Sequence, residues 1–295
     1  MTRSRLAPGT GIVTVPGAGP VLRTSAGEFL RIDMGGVDGG VLVDRLTAGE
    51  TVPSEGTNSA ALDRLVAAFE AEGHTLSTPR SAPLTGRRVH VLGDPVLTRP
   101  LARCAAAEGA EVHHSTADRV AELARDPAGH DRLAVVWCLD SPVPEGLWDT
   151  ADRLPGRRTG WLRCHREGAH SWIEPLAAAP DDVTSRHVRL RRLAATAAHR
   201  ELAAYWAGHR TPDTGPHPTE ASAALIAALL TADLIAWASG ETGPHREGGL
   251  PARRRMRRID LRDLSVTEHP VLPVPDVAPL PVPASAETGT AKARP

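Results

Sequence analysis

Lysine is almost absent from this sequence of 295 residues, because the only one, Lys292, stands near the C-terminus. Walker-loop nucleotidases, protein kinases and pyridoxal enzymes each need a lysine inside a folded domain, to hold a phosphate or to form a Schiff base. The lack of lysine in the rest of the chain excludes these three classes. Basic charge is carried by arginine instead.

The glycines of a phosphate-binding loop are also missing. Residues 88 to 112 have the pattern of a strand, a loop, a helix and a second strand, as in a dinucleotide-binding unit. Such a loop needs G-x-G-x-x-G, because its second glycine lets the backbone approach the pyrophosphate and its third lets the helix lie close to the sheet. Only Gly93 is present, and Pro95 removes an N–H donor. The pattern predicts a remodelled, non-catalytic descendant of an enzyme fold without a cofactor.

Cysteine is scarce, and no Cys-x-x-Cys pair occurs. Cys104, Cys138 and Cys164 are widely spaced and odd in number, which is typical of a reduced cytoplasmic protein rather than of a disulfide framework. Thirteen histidines are present, but none has a metal-binding spacing such as His-Glu-x-x-His, so we expect no metal site. The N-terminal arginines precede no apolar run, which argues against a secretory signal.

Neither sign of charge dominates the chain. The net charge is -1, so no global field attracts nucleic acid or an anionic membrane. The arginine-rich run at 253–258 has no interleaved aromatic residues, and we interpret it as a charged, exposed sheet edge. We therefore expect neither a nucleic acid nor a membrane as a partner.

One long apolar run, from 221 to 238, is about long enough to cross a bilayer. Asp233 lies within it, and an acidic residue at that depth costs about 3 kcal/mol on insertion scales. Thr219 as a cap and Gly240 as a stop predict a buried helix instead. The sequence leaves open whether this helix lies in the core or at a homodimer seam.

Periodicity along the rest of the chain predicts two domains and a tail. Short β-type runs at Ile12–Val15, Val21–Thr24, Glu28–Asp33 and Val41–Asp44, with a helix over Ser59–Glu72, predict a small sheet-and-helix module over residues 1–78. Strands that alternate with helices over 86–268 predict a degenerate Rossmann-like domain with an open, mostly parallel sheet, so the fold class is α+β followed by α/β. That domain includes a long helix over Val183–Trp206 and a final edge strand over Arg257–Leu264. Recurrent prolines predict a disordered tail over 269–295.

This order of elements ends in an apolar helix, a strand and His269-Pro270-Val271-Leu272-Pro273-Val274-Pro275. It resembles the ubiquitin-activating-enzyme-like partner proteins of YcaO-type cyclodehydratases, which bind the leader of a ribosomal precursor peptide in thiopeptide and azol(in)e peptide (RiPP) biosynthesis. The resemblance spans most of the chain and is strongest from about 157 to 280. It implies a winged-helix-like peptide-recognition module over 1–78 and an adenylating-enzyme-like α/β domain over 86–268.

Many members of that family carry two Cys-x-x-Cys pairs that bind a structural zinc. The matching positions here are Thr184 and His187 for the first pair, and Val277 and Leu280 for the second. These side chains do not replace thiolates around Zn²⁺. We therefore expect no zinc site, with helix packing holding the region instead.

In this family the leader adds as a strand beside the third strand of the module and under its last helix. The resemblance assigns the third strand to Val41–Arg45 and the last helix to Ser59–Glu72, while Leu46–Asn58 is too short and too polar for the two earlier helices. Strand addition needs only an exposed edge and a groove, so a trimmed module can still bind a peptide. The predicted peptide-binding residues are Leu42, Val43, Arg45, Leu62, Leu65 and Phe69. The alternative for the apolar residues among them is that they pack against each other, and for Arg45 that it is a solvated surface charge.

The sequence predicts a non-catalytic, two-domain cytoplasmic protein that binds a leader peptide and presents it to a YcaO-type cyclodehydratase. Two alternatives stay open. One is an enzyme that holds a nucleotide in an unusual Gly93-Asp94-Pro95 loop. The other is a structural subunit that dimerises through the helix at 221–238 and scaffolds a biosynthetic complex.

Overall fold

The computed structural model describes residues 5–48, 58–76, 82–212, 214–240 and 249–275. The chain forms two compact units, Met1–Ser81 and Ala82–Pro295.

The N-terminal unit contains a three-stranded antiparallel sheet, a two-stranded sheet and two helices. The strands β2 (Gly11–Val15), β3 (Gly19–Arg23) and β4 (Phe29–Arg31) pair in that order, β1 (Arg5–Leu6) pairs with β5 (Thr75–Leu76), and the helices are α1 (Gly39–Ala48) and α2 (Asn58–Ala71). The three strands predicted between Ile12 and Asp33 and the helix predicted over Ser59–Glu72 are confirmed. Two helices follow the sheet among the residues that the structure describes.

The strand predicted over Val41–Arg45 is wrong, because these residues lie in α1. The Asp38 carboxylate accepts the N–H groups of Gly40 and Val41, at 2.9 and 3.2 Å, and so satisfies donors at the start of the helix. Leu42 and Leu46, four residues apart, are both fully buried on one side of α1. Burial of these two leucines on one side favours a helix, and it outweighs the preference of Val41 and Val43 for a strand.

The core of the N-terminal unit lies between the three-stranded sheet and the helices. It is formed by Leu22 of the sheet, Val37, Leu42 and Leu46, and Leu62, Val66 and Phe69 of α2. One face of the sheet is therefore covered by helix, and its strands alternate between that face and solvent.

The C-terminal unit is built on one seven-stranded mixed sheet. Its strands are β6 (Arg88–Gly93), β7 (Glu111–His114), β8 (Leu133–Cys138), β9 (Gly160–Glu167), β10 (His170–Ile173), β11 (Arg255–Asp260) and β12 (Val266–Pro270), in the order β12-β11-β10-β9-β8-β6-β7. The four strands β7, β6, β8 and β9 are parallel, and the other three add antiparallel. The helices are α3 (Pro95–Ala107), α4 (Ala117–Arg125), α5 (Ser185–Ala194), α6 (His199–Trp206) and α7 (Glu220–Ser239). This mixed α/β arrangement is compatible with a Rossmann-like domain, although the sheet is less parallel than predicted.

The long helix predicted over Val183–Trp206 is two helices, α5 and α6. Between them the Thr196 hydroxyl accepts the N–H of Ala198 at 3.2 Å, and such a local bond competes with the helical ladder. A single carboxylate then ties both helices to the sheet. Glu167 at the end of β9 accepts two bonds from Arg192 of α5, at 2.9 and 2.6 Å, and one from Trp206 Nε1 of α6, at 2.7 Å.

The helix predicted between the cap Thr219 and Gly240 is confirmed as α7. It is the one helix in the described part of the chain that is long and apolar enough to cross a membrane by length and composition. Leu230 and Leu234 are fully buried in the main core, and Asp233 forms buried ion pairs with Arg255 and Arg257 of β11, at 2.8 and 2.6 Å. The arginine run is therefore not an exposed edge at these two positions.

The sheet edge lies one strand further out than predicted. β11 pairs on one side with β10 and on the other with β12, so the outermost strand is Val266–Pro270. Pro270 pairs with Arg255, two residues into the segment predicted as a tail, since an edge strand tolerates a proline that has no outer neighbour to bond. Residues 276–295 of that predicted tail, with Val277 and Leu280, lie outside the described residues.

Candidate functional site

The three-stranded sheet of the N-terminal unit has an open edge at β4. The strand pairs with β3 on one side and with no other strand in the described parts of the chain. All three of its residues are exposed, Phe29 to 62% and Leu30 to 43%. Large apolar side chains on an unpaired strand edge are typical of a site where another strand adds.

The hydrogen-bond pattern fixes which groups of β4 point outward. The Thr24 N–H donates to the Glu28 carbonyl oxygen at 2.8 Å, where the β3–β4 turn closes. Antiparallel pairs alternate, so the Leu22–Leu30 pair exchanges bonds within the sheet and the pairs on either side of it do not. The N–H and C=O of Phe29 and Arg31 therefore point away from β3, toward the open edge.

The side chains of β4 divide between the two faces of the sheet. Leu30 pairs with Leu22, which is buried in the core, so Leu30 lies on the face that the helices cover. Phe29 pairs with Arg23 and Arg31 pairs with Val21 on the opposite, exposed face. A strand placed beside β4 would meet an aliphatic side chain on one face, and an aromatic ring with two arginines on the other.

Three of the six predicted peptide-binding residues lie in the core and not on a free surface. Leu42, Leu62 and Phe69 are buried in the core of the N-terminal unit, with Leu65 at its margin. Val43 and Arg45 stand on α1 and are partly exposed. The alternative of mutual packing is the better account of the first three.

Sequence reasoning missed Phe29 and Leu30 although it placed a strand there. The only sequence signal for a binding strand is the presence of two large apolar residues, Phe29 and Leu30, in a short strand. The structure shows that all three residues of this strand are exposed. Only the order of the strands shows that β4 is one of the two edges of this sheet, whereas the segment at Val41–Arg45 is outside it.

The carboxyl ends of the parallel strands form the edge where open α/β sheets bind ligands. There, Gly93 has a φ of +111°, and a Cβ on it would lie 1.8 Å from the Cys138 carbonyl oxygen. The Asp94 N–H donates to the same oxygen at 2.9 Å. Gly93 thus permits β6 and β8 to approach each other, which is a packing role.

Polar side chains of the protein interact with one another at the carboxyl ends of the parallel strands. The Asp140 carboxylate, just after β8, forms an ion pair with Arg166 of β9 and lies 2.8 Å from His217 Nδ1. The Asp94 carboxylate accepts the Asp140 N–H at 2.6 Å. Both acidic groups are engaged within the chain, which leaves neither available for a magnesium-bound phosphate without rearrangement.

Cys138 and Cys164 face each other on β8 and β9 and are both fully buried. A hydrogen bond with Cys138, together with burial, raises the pKa of the Cys164 thiol well above its usual value. A buried, protonated thiol is a poor nucleophile, so the pair contributes packing.

Thr184 and His187, the residues at the positions of the first expected Cys-x-x-Cys pair, form the N-terminal cap of α5. The Thr184 hydroxyl accepts the His187 N–H at 3.4 Å, and His187 Nδ1 accepts the Thr184 N–H at 3.3 Å. Close by, Arg191 donates to the carbonyl oxygens of Leu272 and Pro273, at 3.1 and 2.9 Å. Within the described residues no group of three His, Cys, Asp or Glu side chains has the arrangement of a metal site.

The fold is similar to that of several solved structures. A heterocyclase in complex with substrate and cofactor shares 10% identity over 92% of this chain and 39% of that chain, with a TM-score of 0.65. The heterocyclase TruD shares 13% identity over 92% of this chain and 42% of that one, with a TM-score of 0.64. E. coli MccB with AMPCPP and selenomethionine MccA shares 10% identity over 92% and 98% of the two chains, with a TM-score of 0.52.

This chain spans about two fifths of the length of the two heterocyclase chains. At such identities the likeness establishes the fold alone. The mixed α/β fold is compatible with the Rossmann-like domain that was predicted, and the winged-helix-like module over 1–78 stays a prediction. No family model and no curated protein matches the sequence.

Proposed function

We propose that the protein is a non-catalytic component of RiPP biosynthesis that binds the leader of a ribosomal precursor peptide. The observation that carries the proposal is the open edge at β4, where Phe29 and Arg31 offer backbone groups and Leu30 an apolar side chain. A leader that adds there as a fourth strand gains main-chain hydrogen bonds, while its alternate side chains contact the two faces. The likeness in fold to a heterocyclase solved with its substrate supports this reading.

The proposed partner is a YcaO-type cyclodehydratase, to which the bound peptide is presented and to which we assign catalysis. The occupied edge around Asp140 and Arg166 supports a role without a nucleotide. Three free cysteines, two of them buried, are in keeping with a cytoplasmic location.

Titration of the purified protein with a fluorescently labelled leader peptide, followed by anisotropy, tests the proposal. Arg31→Pro removes an N–H that points to the open edge and leaves the β3 ladder intact, as an edge strand allows. We expect this change and Leu30→Ser each to weaken binding about tenfold, the effect of losing one contact of about 1.4 kcal/mol.

Val13→Ser is the matched control, because Val13 is exposed to 41%, close to the 43% of Leu30, but lies on β2 at the other edge of the sheet. It should bind the leader as the unchanged protein does. Equal losses in Val13→Ser and Leu30→Ser, or no saturable leader binding at all, would contradict the proposal.

Homodimerisation through α7 is a second, independent proposal. None of the solvent-facing residues between Ala221 and Ala238 on this helix is charged, which is unusual for a helix in contact with water on one side. Mass measurement in solution tests it, and a strict monomer would assign α7 to the core alone.

A further inference from the structure

The α5–α6 pair covers one side of an open groove of about 490 Å³, whose other side is formed by β10, β11 and the chain after β12. Its apolar lining comes from Trp172, Val188, Leu202, Met256 and Val271. A concave site of this volume is in the range that holds a peptide side chain or a small ligand.

The floor of the groove is part of a small satellite core. Val188, Met256 and Val271 are buried and form one cluster with Val183, and Trp172 packs against it. The cluster itself is almost fully covered, and the large apolar side chains that remain partly exposed in the groove are Trp172 and Leu202. An apolar side chain from outside would contact these two residues.

The charged residues that line the groove all carry the same sign. They are Arg191 and Arg192, and none of the described lining residues is acidic. Arg192 is neutralised by Glu167, at 2.6 Å, and stacks on Trp172 at 4.4 Å. Arg191 donates only to the neutral carbonyl oxygens of Leu272 and Pro273, and no described carboxylate pairs with it. Among the described residues, its positive charge at the rim therefore has no counter-charge.

We propose that this groove docks an acidic segment of the cyclodehydratase, with one large apolar side chain in the floor and carboxylates beside Arg191. The identity of the partner rests on the proposed function, whereas the chemistry of the segment follows from the groove. An apolar anchor supplies the affinity, and the single sign of charge selects against basic segments. The groove lies in the C-terminal unit, so leader binding at β4 is a separate event.

Overlapping fifteen-residue peptides that cover the cyclodehydratase sequence, each fluorescently labelled, are the probe. Ala195 is exposed and lines the groove, so the larger side chain of Ala195→Trp fills the groove. The alanine side chain makes no hydrogen bonds, so the substitution breaks none. Ala203 is an exposed position on α6 that lines a different groove, and Ala203→Trp is the matched control. Circular dichroism confirms that both variants are folded.

We expect at least one acidic peptide to bind, Ala195→Trp to weaken it by about tenfold, and Ala203→Trp to change it less than about twofold. The same peptide with Asp and Glu replaced by Asn and Gln should bind more weakly, and rising salt should weaken the original. Equal binding to both variants, binding of basic or uncharged peptides only, or binding of no peptide would overturn the proposal. So would a change from dimer to monomer in Ala195→Trp, which would make the groove an interface between copies.

Leader titration on the same variants separates this inference from the proposed function. The leader should bind Ala195→Trp with unchanged affinity, because β4 lies in the other unit. If the leader binds and the groove variant has no effect on the enzyme peptides, the groove proposal alone fails. If the unchanged protein binds no leader, the proposed function fails whatever the groove does.

Discussion

Thr184 and His187 satisfy each other's hydrogen bonds at the first turn of α5, each accepting the backbone N–H of the other. In the family that the sequence resembles, the matching positions hold the first thiolate pair of a zinc site. Here Thr184 and His187 start a helix, and Arg191, one turn further along, donates to the carbonyl oxygens of Leu272 and Pro273. A helix cap and a guanidinium group thus connect α5 to the chain after β12.

Replacement of the cap should lower stability without any involvement of metal. Thr184→Ala is expected to reduce the free energy of unfolding by about 1 kcal/mol, measured by urea denaturation, because one helical donor loses its partner. A chelator such as EDTA should leave the melting temperature of the unchanged protein where it is. Thr267→Ala, at an exposed strand position, serves as the control. A lower melting temperature in EDTA would show that a metal stabilises the fold.

Glu167 should make stability depend on acid. Burial alone raises the pKa of this carboxyl, but the hydrogen bonds from His165 and Arg192 outweigh burial and hold its pKa well below the ordinary 4.5. A carboxyl with a lowered pKa in the folded state stabilises the protein above its unfolded pKa, and that contribution is lost as the pH falls. We expect the free energy of unfolding to decrease as the pH drops below about 4.5.

Glu167→Gln tests this assignment. The variant should lose about 2–4 kcal/mol at neutral pH, because Arg192 keeps a largely buried charge without its partner. Its stability should then fall less steeply in acid than that of the unchanged protein. Parallel pH profiles for the two proteins would place the acid sensitivity elsewhere.

Removal of the charge of Asp233 should lower the free energy of unfolding more than the same change at an exposed acidic residue. Asp233→Asn removes the buried counter-charge of Arg255 and Arg257, and we expect a loss of about 3–5 kcal/mol in chemical denaturation. Glu268 contacts the same two arginines but its side chain is 40% exposed, so Glu268→Gln should cost less than about 1 kcal/mol. Similar losses in the two variants would contradict this ranking.

Nucleotides should not bind at the edge formed by Gly93, Asp94 and Asp140. Calorimetric titration with ATP and with NAD is expected to show no saturable heat, since the two carboxylates are engaged by Arg166, His217 and a backbone N–H. Saturable nucleotide binding, in a protein that binds no leader peptide, would favour the alternative of a Rossmann-like enzyme.

Helix caps, glycines at helix ends and apolar stripes correctly predicted helices from residues close together in the sequence. The cap at Thr219 and the glycine at 240 correctly predicted both ends of α7. The apolar stripe of α2 did the same for its helix. Each of these features depends on residues within one or two turns of the chain.

The sequence did not show which strands and side chains from distant parts of the chain become neighbours in the fold. Arg255 and Arg257 belong to a charged run in sequence, and only their pairing with Asp233, more than twenty residues away, buries them. β11 has the alternation of an edge strand and still lies inside the sheet. The open edge at β4 was missed for the same reason, because an edge is a property of the sheet and not of the strand that forms it.

Gly93 also limits how nucleotide binding could be engineered into this scaffold. Glycines introduced at Pro95 and Thr98 would restore the letters of the dinucleotide loop, but the Cys138 carbonyl oxygen would still occupy the space beside residue 93, and the Asp140–Arg166 pair would still fill the edge. Design would have to start with the loop after β8. A single glycine after the first strand is thus a poor marker of a nucleotide site in sequence searches, since the close approach of two strands can require it on its own.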